Sequence, residues 1–383
     1  MTRESASPAT QGQRGAANDA APRDFIRTFP CAGCGAKLAF APGTRSLRCE
    51  ACGTENAIAE SDATVEEIDF DAQLAALEKG AETFEQETIK CEKCGAEQQL
   101  PPNHFAAACT FCAAPVVSKS YARRSIKPRA MIPFQINRGR AQDEFRRWVA
   151  GLWLAPKELK RYAQSDAALA GTYLPFWTYD CATATAYSGE RGEDYYTSED
   201  YTTRNTAGET VSATRRVKQT RWEPASGHVG HFHDDVLVLA SPSLPASLRG
   251  AASAWNLKGL APYQPEFVSG YRAEAYQVGL REAFPIAKQA IDAEVMGLVR
   301  RDIGGDQQRV QQVSTRYEGV TFKHVLLPVW VSAYRFRDKT YRFLVNGQTG
   351  EVAGESPLSW FKVTWLVVAV IVFLVIVAIF GSR

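Results

Sequence analysis

The sequence predicts a multidomain protein built from two small β modules, one α+β domain and one C-terminal transmembrane helix. Three observations predict this fold class. Cys-x-x-Cys pairs occur four times in the first third of the chain, the middle mixes helical and alternating apolar patterns, and the end is an uninterrupted apolar run. Paired cysteines are typical of small metal-bound modules, and apolar runs of about 18 residues or more are typical of membrane spans.

The composition is that of a globular protein. The chain has 383 residues, 45% hydrophobic and 22% charged, which is enough for two or three domains with at least one apolar core. The polar N-terminus has no apolar stretch that could act as a signal peptide, so we expect the N-terminal part to remain in the cytoplasm. Nine cysteines, eight of them in Cys-x-x-Cys pairs, fit a reducing compartment in which thiols bind metal.

The cysteine spacing is the most specific motif. One Cys-x2-Cys-x14-Cys-x2-Cys pattern occurs twice, at residues 31–52 and 91–112. Each pair directs two sulfurs at one point, and Gly35, Gly53 and Gly95 follow where the chain must turn tightly around a metal. We therefore predict two zinc ribbons that each bind one structural Zn²⁺, with the ligands Cys31, Cys34, Cys49, Cys52, Cys91, Cys94, Cys109 and Cys112.

Four thiolates close a tetrahedral shell and leave no position for a water, so we expect structural and not catalytic zinc. The alternative is that the cysteine pairs are redox-active and bind no metal. The spacing disfavours it, because a redox pair does not need a second pair at ribbon distance. Modules of about 25 to 30 residues have too little core to fold without their metal. Eight thiolates and two Zn²⁺ would also change the formal charge from +2 to about −2, so the apparent basicity is no argument for nucleic acid.

Composition divides the chain into six segments. A polar tail without periodicity is expected to be disordered. The linker between the ribbons is acidic, with ten acidic and two basic residues from Glu60 to Lys90. The predicted boundaries are the disordered tail at 1–24, ribbon 1 at 25–55, the acidic linker with a short helix at 56–87, ribbon 2 at 88–117, the α+β domain at 118–357 and the transmembrane helix at 358–380.

Three helices are predicted before the terminal span. One lies in the linker around Phe70, Leu74 and Leu77. A second, near residues 141–152, has its apolar stripe at i, i+4, i+7, i+8 and i+11. A third is predicted from Pro285 to Arg301. The expected buried residues are Ala141, Phe145, Trp148, Val149 and Leu152 in the second helix, and Ile286, Ala290, Val295 and Leu298 in the third.

The remaining α+β domain alternates like strands. Residues 172–236 are predicted to be β structure, with a turn region rich in Gly, Asp and Tyr near 189–201. A hairpin is predicted from residues 341–345 and 351–353, because the intervening Asn-Gly and a second Gly can supply positive φ. Residues 173–179 resemble residues 326–332, each with Leu-Pro-x-Trp entering a strand, which suggests two related α+β halves.

The apolar C-terminus predicts a single membrane span. The eighteen residues from Val363 to Phe380 would extend about 27 Å as a helix, against a hydrocarbon core of about 30 Å. Trp360 and Trp365 suit the interface, and Lys362 could extend toward cytoplasmic headgroups. We expect the N-terminal domains inside, with the helix held by membrane lipids. A buried core helix is the alternative, but nothing polar interrupts the run.

Two weaker candidates lie in the α+β domain. His231 and His233 alternate on a predicted strand and could bind a transition metal with His228 nearby, or simply lie in a solvated loop, since no remote ligand can be named. Cys181 is expected to be a buried small residue and not a nucleophile.

The sequence also lacks the usual signatures of enzymes. No phosphate-binding loop, dinucleotide-binding turn, zinc-protease helix or serine-hydrolase elbow occurs in it. From Lys119 to Arg161, twelve basic residues stand against three acidic ones. This basic stretch could contact anionic lipids or nucleic acid, or form a solvated face.

Several motifs together resemble one family. They are the paired ribbons, Ile132-Pro-Phe134 before the helix with Phe145, Trp148 and Leu152-Trp153, the segments 235–241, 327–330 and 345–350, and the terminal span. Over residues 28–380 the chain resembles bacterial zinc-ribbon membrane proteins, often labelled TFIIB-type zinc ribbon proteins or, from the ribbons alone, primosomal protein N′-like. Ala113 departs from the usual knuckle glycine but leaves the four ligands intact.

The resemblance implies a role in membrane stress. A family member of similar layout belongs to a phage-shock-type system and, with partners of the SPFH and TPM classes, helps recruit a PspA-like peripheral protein. Comparable partners are therefore expected here. The helicase implied by the N′-like label is rejected, because a helicase must hydrolyse ATP and the sequence has no phosphate-binding loop.

Three functional hypotheses follow. The leading one is a tail-anchored scaffold of the inner membrane, not an enzyme, whose ribbons and linker recruit a cytoplasmic partner. The alternative is a membrane-tethered nucleic-acid-binding protein that uses Lys37, Arg45 and Arg48 of ribbon 1 with the basic stretch. The third is an enzyme with its site around residues 228–235 or Cys181, for which the sequence names no substrate.

Overall fold

The computed structural model describes most of the chain from Phe29 onwards. The tail predicted at 1–24 and the knuckle residue Ala113 lie outside the described residues. These are 29–79, 84–99, 106–112, 114–117, 121–164, 169–204, 208–249, 255–336 and 339–381.

The described residues form 17 strands and six α-helices. The strands are β1 (Leu38–Phe40), β2 (Ser46–Cys49), β3 (Glu55–Ala57), β4 (Ile68–Asp69), β5 (Phe84–Lys90), β6 (Glu97–Gln99), β7 (Ala106–Ala108), β8 (Pro115–Val117), β9 (Tyr121–Ser125), β10 (Ala130–Met131), β11 (Ala170–Arg204), β12 (Thr210–Leu239), β13 (Ala261–Pro262), β14 (Arg272–Ala273), β15 (Gln307–Phe336), β16 (Lys339–Asn346) and β17 (Val352–Gly354). The helices are α1 (Phe70–Glu78), α2 (Arg138–Gly151), α3 (Lys157–Gln164), α4 (Ala246–Arg249), α5 (Leu280–Ile303) and α6 (Trp360–Gly381), with 3₁₀ turns at Leu257–Gly259 and Pro265–Val268.

Three very long strands form the centre of the fold. β11 has 35 residues and β12 and β15 have 30 each, several times the usual length of about 5 to 6. They pair antiparallel in the order β12-β11-β15, with Trp177 opposite both Val238 and His324. The other edge of β15 pairs in turn with β4, β10 and β16.

The inner halves of β11 and β15 form the core because most of their residues are apolar on both faces. Every residue at 172–181 of β11 and at 322–332 of β15 is buried. The polar ends of the buried rings have partners: Trp177 donates to the Val278 carbonyl at 2.9 Å, and Tyr179 donates to the Leu280 carbonyl at 2.8 Å. The core therefore buries large aromatic rings whose polar atoms keep their hydrogen bonds.

Two of the predicted helices are confirmed. The linker helix is α1, which begins at Phe70 and is capped by the Asp69 carboxylate. The second predicted helix is α2, capped by the Asn137 side chain. Its predicted stripe faces the core, with three of the five residues fully buried: Ala141, Phe145 and Val149.

The third predicted helix was wrong in its start and in most of its buried face. α5 begins at Leu280, so Pro285 lies in the second turn, and Ile286 is 46% exposed. The helix lies along β11 and β12 and buries a residue at every third or fourth position, a longer stripe than the one predicted from Pro285. Val295 belongs to it as predicted; the buried residues are Leu280, Ala283, Ala287, Ile291, Val295, Val299 and Ile303.

The turn region predicted at 189–201 was also wrong, because β11 continues as a strand to Arg204. Tyr and Thr residues favour strands, and opposite charges pair across to β12: Glu199 with Arg215 at 2.8 Å, and Asp194 with Lys218 at 2.6 Å. β15 begins at Gln307, opposite Gly192. Beyond that point β11 and β12 continue as a two-stranded projection, here called the outer ribbon (residues 193–204 and 210–221).

The predicted hairpin is confirmed as β16 and β17, but the two glycines of its turn have different roles. Gly350 has φ +88°, which only glycine adopts easily. Gly347 is needed for close approach instead, since a Cβ there would lie 2.6 Å from the Pro328 carbonyl oxygen.

The two Leu-Pro-x-Trp segments lie side by side at the centre of the core. In the β11–β15 pairing, Leu174 is opposite Leu327 and Tyr173 is opposite Pro328. The first segment lies at the start of β11, but the second lies well inside β15, which begins at Gln307. Their positions in the two strands are therefore not equivalent, and the duplication stays a prediction.

Gly189 gives a test of the long-strand register. It lies at a bulge between β11 and β15, where an added Cβ would overlap the Arg309 carbonyl oxygen. We expect Gly189→Ala to lower the free energy of unfolding by about 1 to 3 kcal/mol, as overpacking against backbone does. Chemical denaturation measures this change. The control Gly230→Ala should have a free energy of unfolding near that of wild type, because its Cβ would lie 3.6 Å from the nearest atom. Equal stability of both variants would contradict this register.

Candidate metal centres

Ribbon 1 folds as a three-stranded sheet around its four cysteines. Cys31 and Cys34 precede β1, Cys49 ends β2, and Cys52 lies in the turn before β3. In ribbon 2, one knuckle connects β5 to β6 and the other connects β7 to β8. The hairpins place the second knuckle of each ribbon opposite the first, as the spacing predicts.

Glycines with positive φ shape three of the four knuckles. Gly35, Gly53 and Gly95 have φ of 72°, 75° and 75°. Each amide donates to the carbonyl of the first cysteine of its knuckle, at 2.8 to 3.0 Å. A side chain at these positions would strain the turn that aims both sulfurs inward.

The sulfur atoms of each cluster are spaced as a metal requires. In each ribbon all four lie within 4.8 Å of one another. Tetrahedral coordination with Zn–S bonds of about 2.3 Å puts sulfurs about 3.8 Å apart, whereas a disulfide needs about 2.05 Å. The closest pairs are Cys31–Cys52 at 3.6 Å, Cys34–Cys49 at 3.5 Å, Cys91–Cys112 at 3.6 Å and Cys94–Cys109 at 3.5 Å.

The ionisation of the thiols also favours a cation. The hydrogen bond with the Cys94 thiol lowers the pKa of Cys109 to about 5 and raises the pKa of Cys94. In ribbon 1, the Thr54 hydroxyl lowers the pKa of Cys52 to about 6. Each cluster thus holds a thiolate at neutral pH, and further ionisation is opposed by like charge unless a dication is present. Both clusters fit structural metal sites with four protein ligands and no open position.

Ribbon 1 packs onto the α+β domain. The Phe40 ring lies edge-on to Phe267 with 5.1 Å between centroids. The Phe40 amide donates to the Ser269 carbonyl at 2.9 Å, and the Ser269 hydroxyl donates to the Leu38 carbonyl at 2.7 Å. The ribbon therefore shares a core with the domain and has a fixed orientation on it.

Ribbon 2 packs onto the same domain through polar contacts and one buried ring. Phe111 is fully buried, and its carbonyl accepts from Arg342 Nε at 2.8 Å. Arg272 donates to the Thr110 hydroxyl at 2.9 Å. Because both ribbons are anchored, their metals would stabilise the domain as well as the ribbons.

A buried carboxyl group beside ribbon 2 was missed by sequence reasoning. Glu274 is 1% exposed and accepts hydrogen bonds from Ser241, at 2.7 Å, and from Ser243. Burial raises the pKa of Glu274 to about 8, so the carboxyl is mostly neutral at pH 7. Nothing in the local pattern Arg-Ala-Glu-Ala distinguishes this glutamate from a solvated one.

A buried ionic cluster was also missed. Lys323 in β15 is paired with Asp235 at 2.8 Å, Glu67 at 3.2 Å and Asp180 at 3.3 Å. Burial would lower the pKa of Lys323, but the three carboxylates raise it, and burial raises the pKa of Asp180 to about 6. Glu67 belongs to the acidic linker, so this cluster ties the linker to the sheet. The four residues are far apart in sequence, which is why no motif indicates them.

The structure places the weaker sequence candidates in different surroundings. His231 and His233 lie on one face of β12, as their alternation predicts, and their rings are 4.8 Å apart. His228 lies on the opposite face of the strand. Cys181 is fully buried against α5, and burial raises the pKa of its thiol, so it is the small core residue that was predicted.

Among the described residues, α6 is the one helix long and apolar enough to cross a membrane. Within the 21 residues Trp360–Phe380, the most apolar 18-residue window has a mean hydropathy of 3.2, and none of that window is buried in the fold. At 1.5 Å per residue it is about 32 Å long, close to the thickness of a bilayer core.

Comparison with known proteins found a relative without an assigned function. The uncharacterized protein YdjG of Bacillus subtilis (strain 168) is 26% identical over 341 residues, which cover 88% of this chain and 92% of that protein. No protein-family model matches the sequence, and no solved structure matches it. The chain therefore has a homologue of nearly the same extent, while the TFIIB-type classification stays a prediction.

Metal analysis tests the two Cys₄ centres. We expect two zinc ions per chain in the purified protein, and one after Cys94→Ser or Cys34→Ser, because three thiolates bind structural zinc poorly. Cys181→Ala is the matched control and should retain two. Zinc contents that do not follow the ribbon cysteines would contradict the assignment.

Glu274 predicts a pH dependence of stability. Its folded-state pKa, about 8, lies above the unfolded value, so the folded state binds the extra proton and loses stability as pH rises toward 8. The stability of Glu274→Gln relative to wild type should increase by up to about 1.4 kcal/mol per pH unit between pH 6 and 8, then level off. Urea unfolding of both proteins at several pH values measures this difference. A constant difference would contradict the buried neutral carboxyl.

Proposed function

We propose that the chain is a tail-anchored scaffold of the bacterial inner membrane, with two structural zinc ions, that holds protein partners at a fixed position relative to the bilayer. Closed metal sites stabilise a fold and provide no open coordination position for catalysis. A rigid domain tied to a membrane helix is suited to positioning other proteins.

The junction between α6 and the domain carries this proposal. Lys362, in the first turn of α6, donates to the Trp153 and Ala155 carbonyls, each at 2.8 Å. The Ser359 amide donates to the Leu154 carbonyl at 2.9 Å. Lys362 was expected to extend toward headgroups; here its ammonium group is bonded to the α2–α3 loop instead. These bonds restrict how the domain can rotate relative to α6.

Aromatic and basic residues around the junction support contact with a cytoplasmic membrane surface. Trp153, Trp360 and Trp365 are 61%, 72% and 62% exposed, and tryptophan favours the interface. α3 begins close to the same loop and carries three basic residues and one acidic residue. Basic residues next to a span favour the cytoplasmic side, where the thiols would also remain reduced.

The outer ribbon is the part best placed to meet a partner. Its twelve residues per strand project about 40 Å beyond the start of β15. In the part of the chain that the structure describes, β12 pairs only with β11, so its outer edge presents backbone groups that can pair with another strand. The β11 side is acidic and the β12 side basic, which favours a partner with complementary charge.

The resemblance supplies the expected partners, namely SPFH, TPM and PspA-like proteins. Charge pairing within the protein supports protein partners over nucleic acid. In the basic stretch, Arg146 pairs with Asp143 at 3.3 Å and Arg147 with Glu144 at 2.7 Å. These pairs, like those of the outer ribbon, leave less unpaired positive charge to attract phosphates.

Shortening the outer ribbon tests the scaffold. Thr197 and Val217 are opposite each other, so residues 198–216 can be replaced by Asn-Gly, which favours a two-residue turn. Tagged full-length protein, purified from membranes in mild detergent, should capture SPFH, TPM or PspA-like proteins. The shortened variant should capture at least about tenfold less of these proteins, because a main contact that contributes about 1.4 kcal/mol or more is lost.

The variant must keep two zinc ions and its membrane location, which control for folding. Equal capture by both proteins would contradict a role for the outer ribbon. If neither protein captures such partners, and nucleic acid is recovered in a salt-sensitive manner instead, the scaffold is wrong and the nucleic-acid alternative is favoured.

A further inference from the structure

The structure supplies the third ligand that the sequence could not name for the histidine pair. Glu294 of α5 faces both rings. Its Oε2 lies 2.9 Å from His233 Nδ1, and its Oε1 lies 3.5 Å from His231 Nε2. We propose that His231, His233 and Glu294 form a third metal site, which binds a first-row divalent transition metal such as Zn²⁺.

Hydrogen bonding around His233 leaves a place for a cation. The Thr183 hydroxyl donates its one hydrogen to the His231 carbonyl at 3.1 Å. In that arrangement it accepts from His233 Nε2, which also lies 3.1 Å away. With the proton on Nε2, the lone pair of Nδ1 in a neutral ring faces the Glu294 carboxylate. Two acceptors at 2.9 Å repel each other unless a proton or a metal ion lies between them.

The donor set and spacing fit a metal. The three ligand atoms lie within 4.8 Å of one another. Ligands at about 2.0 to 2.2 Å from a tetrahedral ion are about 3.3 to 3.6 Å apart, so small side-chain rotations suffice. Two imidazoles and one carboxylate suit zinc, cobalt and related ions. Thr183 then plays the part of the outer hydrogen-bond partner that fixes the orientation of a metal-binding histidine.

The site is held by the packing of α5 on β12. The His233 side chain is 0% exposed, and Glu294 is flanked along the helix by the buried residues Ile291 and Val295. The His231 and Glu294 side chains are 41% and 54% exposed, so the remaining coordination position faces solvent. The site therefore differs from the Cys₄ centres: it is open, and its metal should exchange readily.

Cobalt titration distinguishes a metal site from a histidine–carboxylate ion pair. Full-length protein in detergent, with zinc in its two Cys₄ centres only, is titrated with Co²⁺. We expect one further equivalent to bind, with d–d absorption and without the charge-transfer bands that thiolate ligands produce. His231→Ala and Glu294→Ala should weaken this binding by about 100-fold or more, since loss of even an outer partner costs about 10- to 100-fold.

His228→Ala is the matched control, because His228 is exposed on the opposite face of the same strand. It should bind Co²⁺ as wild type does. Both test residues are exposed, so their replacement should leave the fold intact, and two retained zinc ions will verify this. Absence of a further equivalent, binding seen only through thiolate bands, or equal affinity in His231→Ala and His228→Ala would overturn the proposal.

Discussion

The pairing of the inner halves of β11 and β15 is the constraint on which the rest of the structure depends. Leu174 opposite Leu327 marks its centre, and residues on both faces there are buried. One edge of this pair receives β12 and the other receives β4, β10 and β16, while α2, α5 and both ribbons pack around it. Because the pairing joins segments about 150 residues apart in sequence, its closure entropy must be offset by burial over a long interface. The length of the strands provides that interface.

Ribbon 1 and ribbon 2 pack against this core and extend it. A Cys₄ module has few apolar residues of its own, and here Phe40 of ribbon 1 and Phe111 of ribbon 2 contribute theirs to the domain. Metal binding and domain folding should therefore be coupled, since each organises a surface that the other needs. Polar groups are buried at the same boundaries: Glu274 beside ribbon 2 and Lys323 beside the linker. Such groups cost desolvation energy, and their fixed partners favour one arrangement of the modules over others.

Patterns that depend on local spacing were predictable, and those that depend on remote partners were not. The two Cys₄ clusters, α1, α2, the β16–β17 hairpin and the apolar α6 follow from repeats, caps and turn residues within short windows. Residues 189–201 of β11 were mistaken for a turn because their Gly, Asp and Tyr residues are ambiguous without the opposing strand that pairs their charges. Glu294 could not be assigned to the histidines because 61 residues separate it from His233. Glu274 and Lys323 show the same limit: burial, which changes their chemistry, is a property of the assembled core.

The connection from α6 to the outer ribbon suits the scaffold role proposed above. The 35 residues of β11 extend roughly 110 Å as a strand, and they run without interruption from the core to the outer ribbon. At the other end, Lys362 and Ser359 bond α6 to the α2–α3 loop. A small change in the tilt of α6, the usual response of a span to bilayer thickness, would therefore displace the far end of the ribbon by many ångströms. A short, loosely tethered domain would absorb the same tilt in its linker. Under the proposed function, the long continuous strands and the bonded junction together would let the position of a partner follow the membrane.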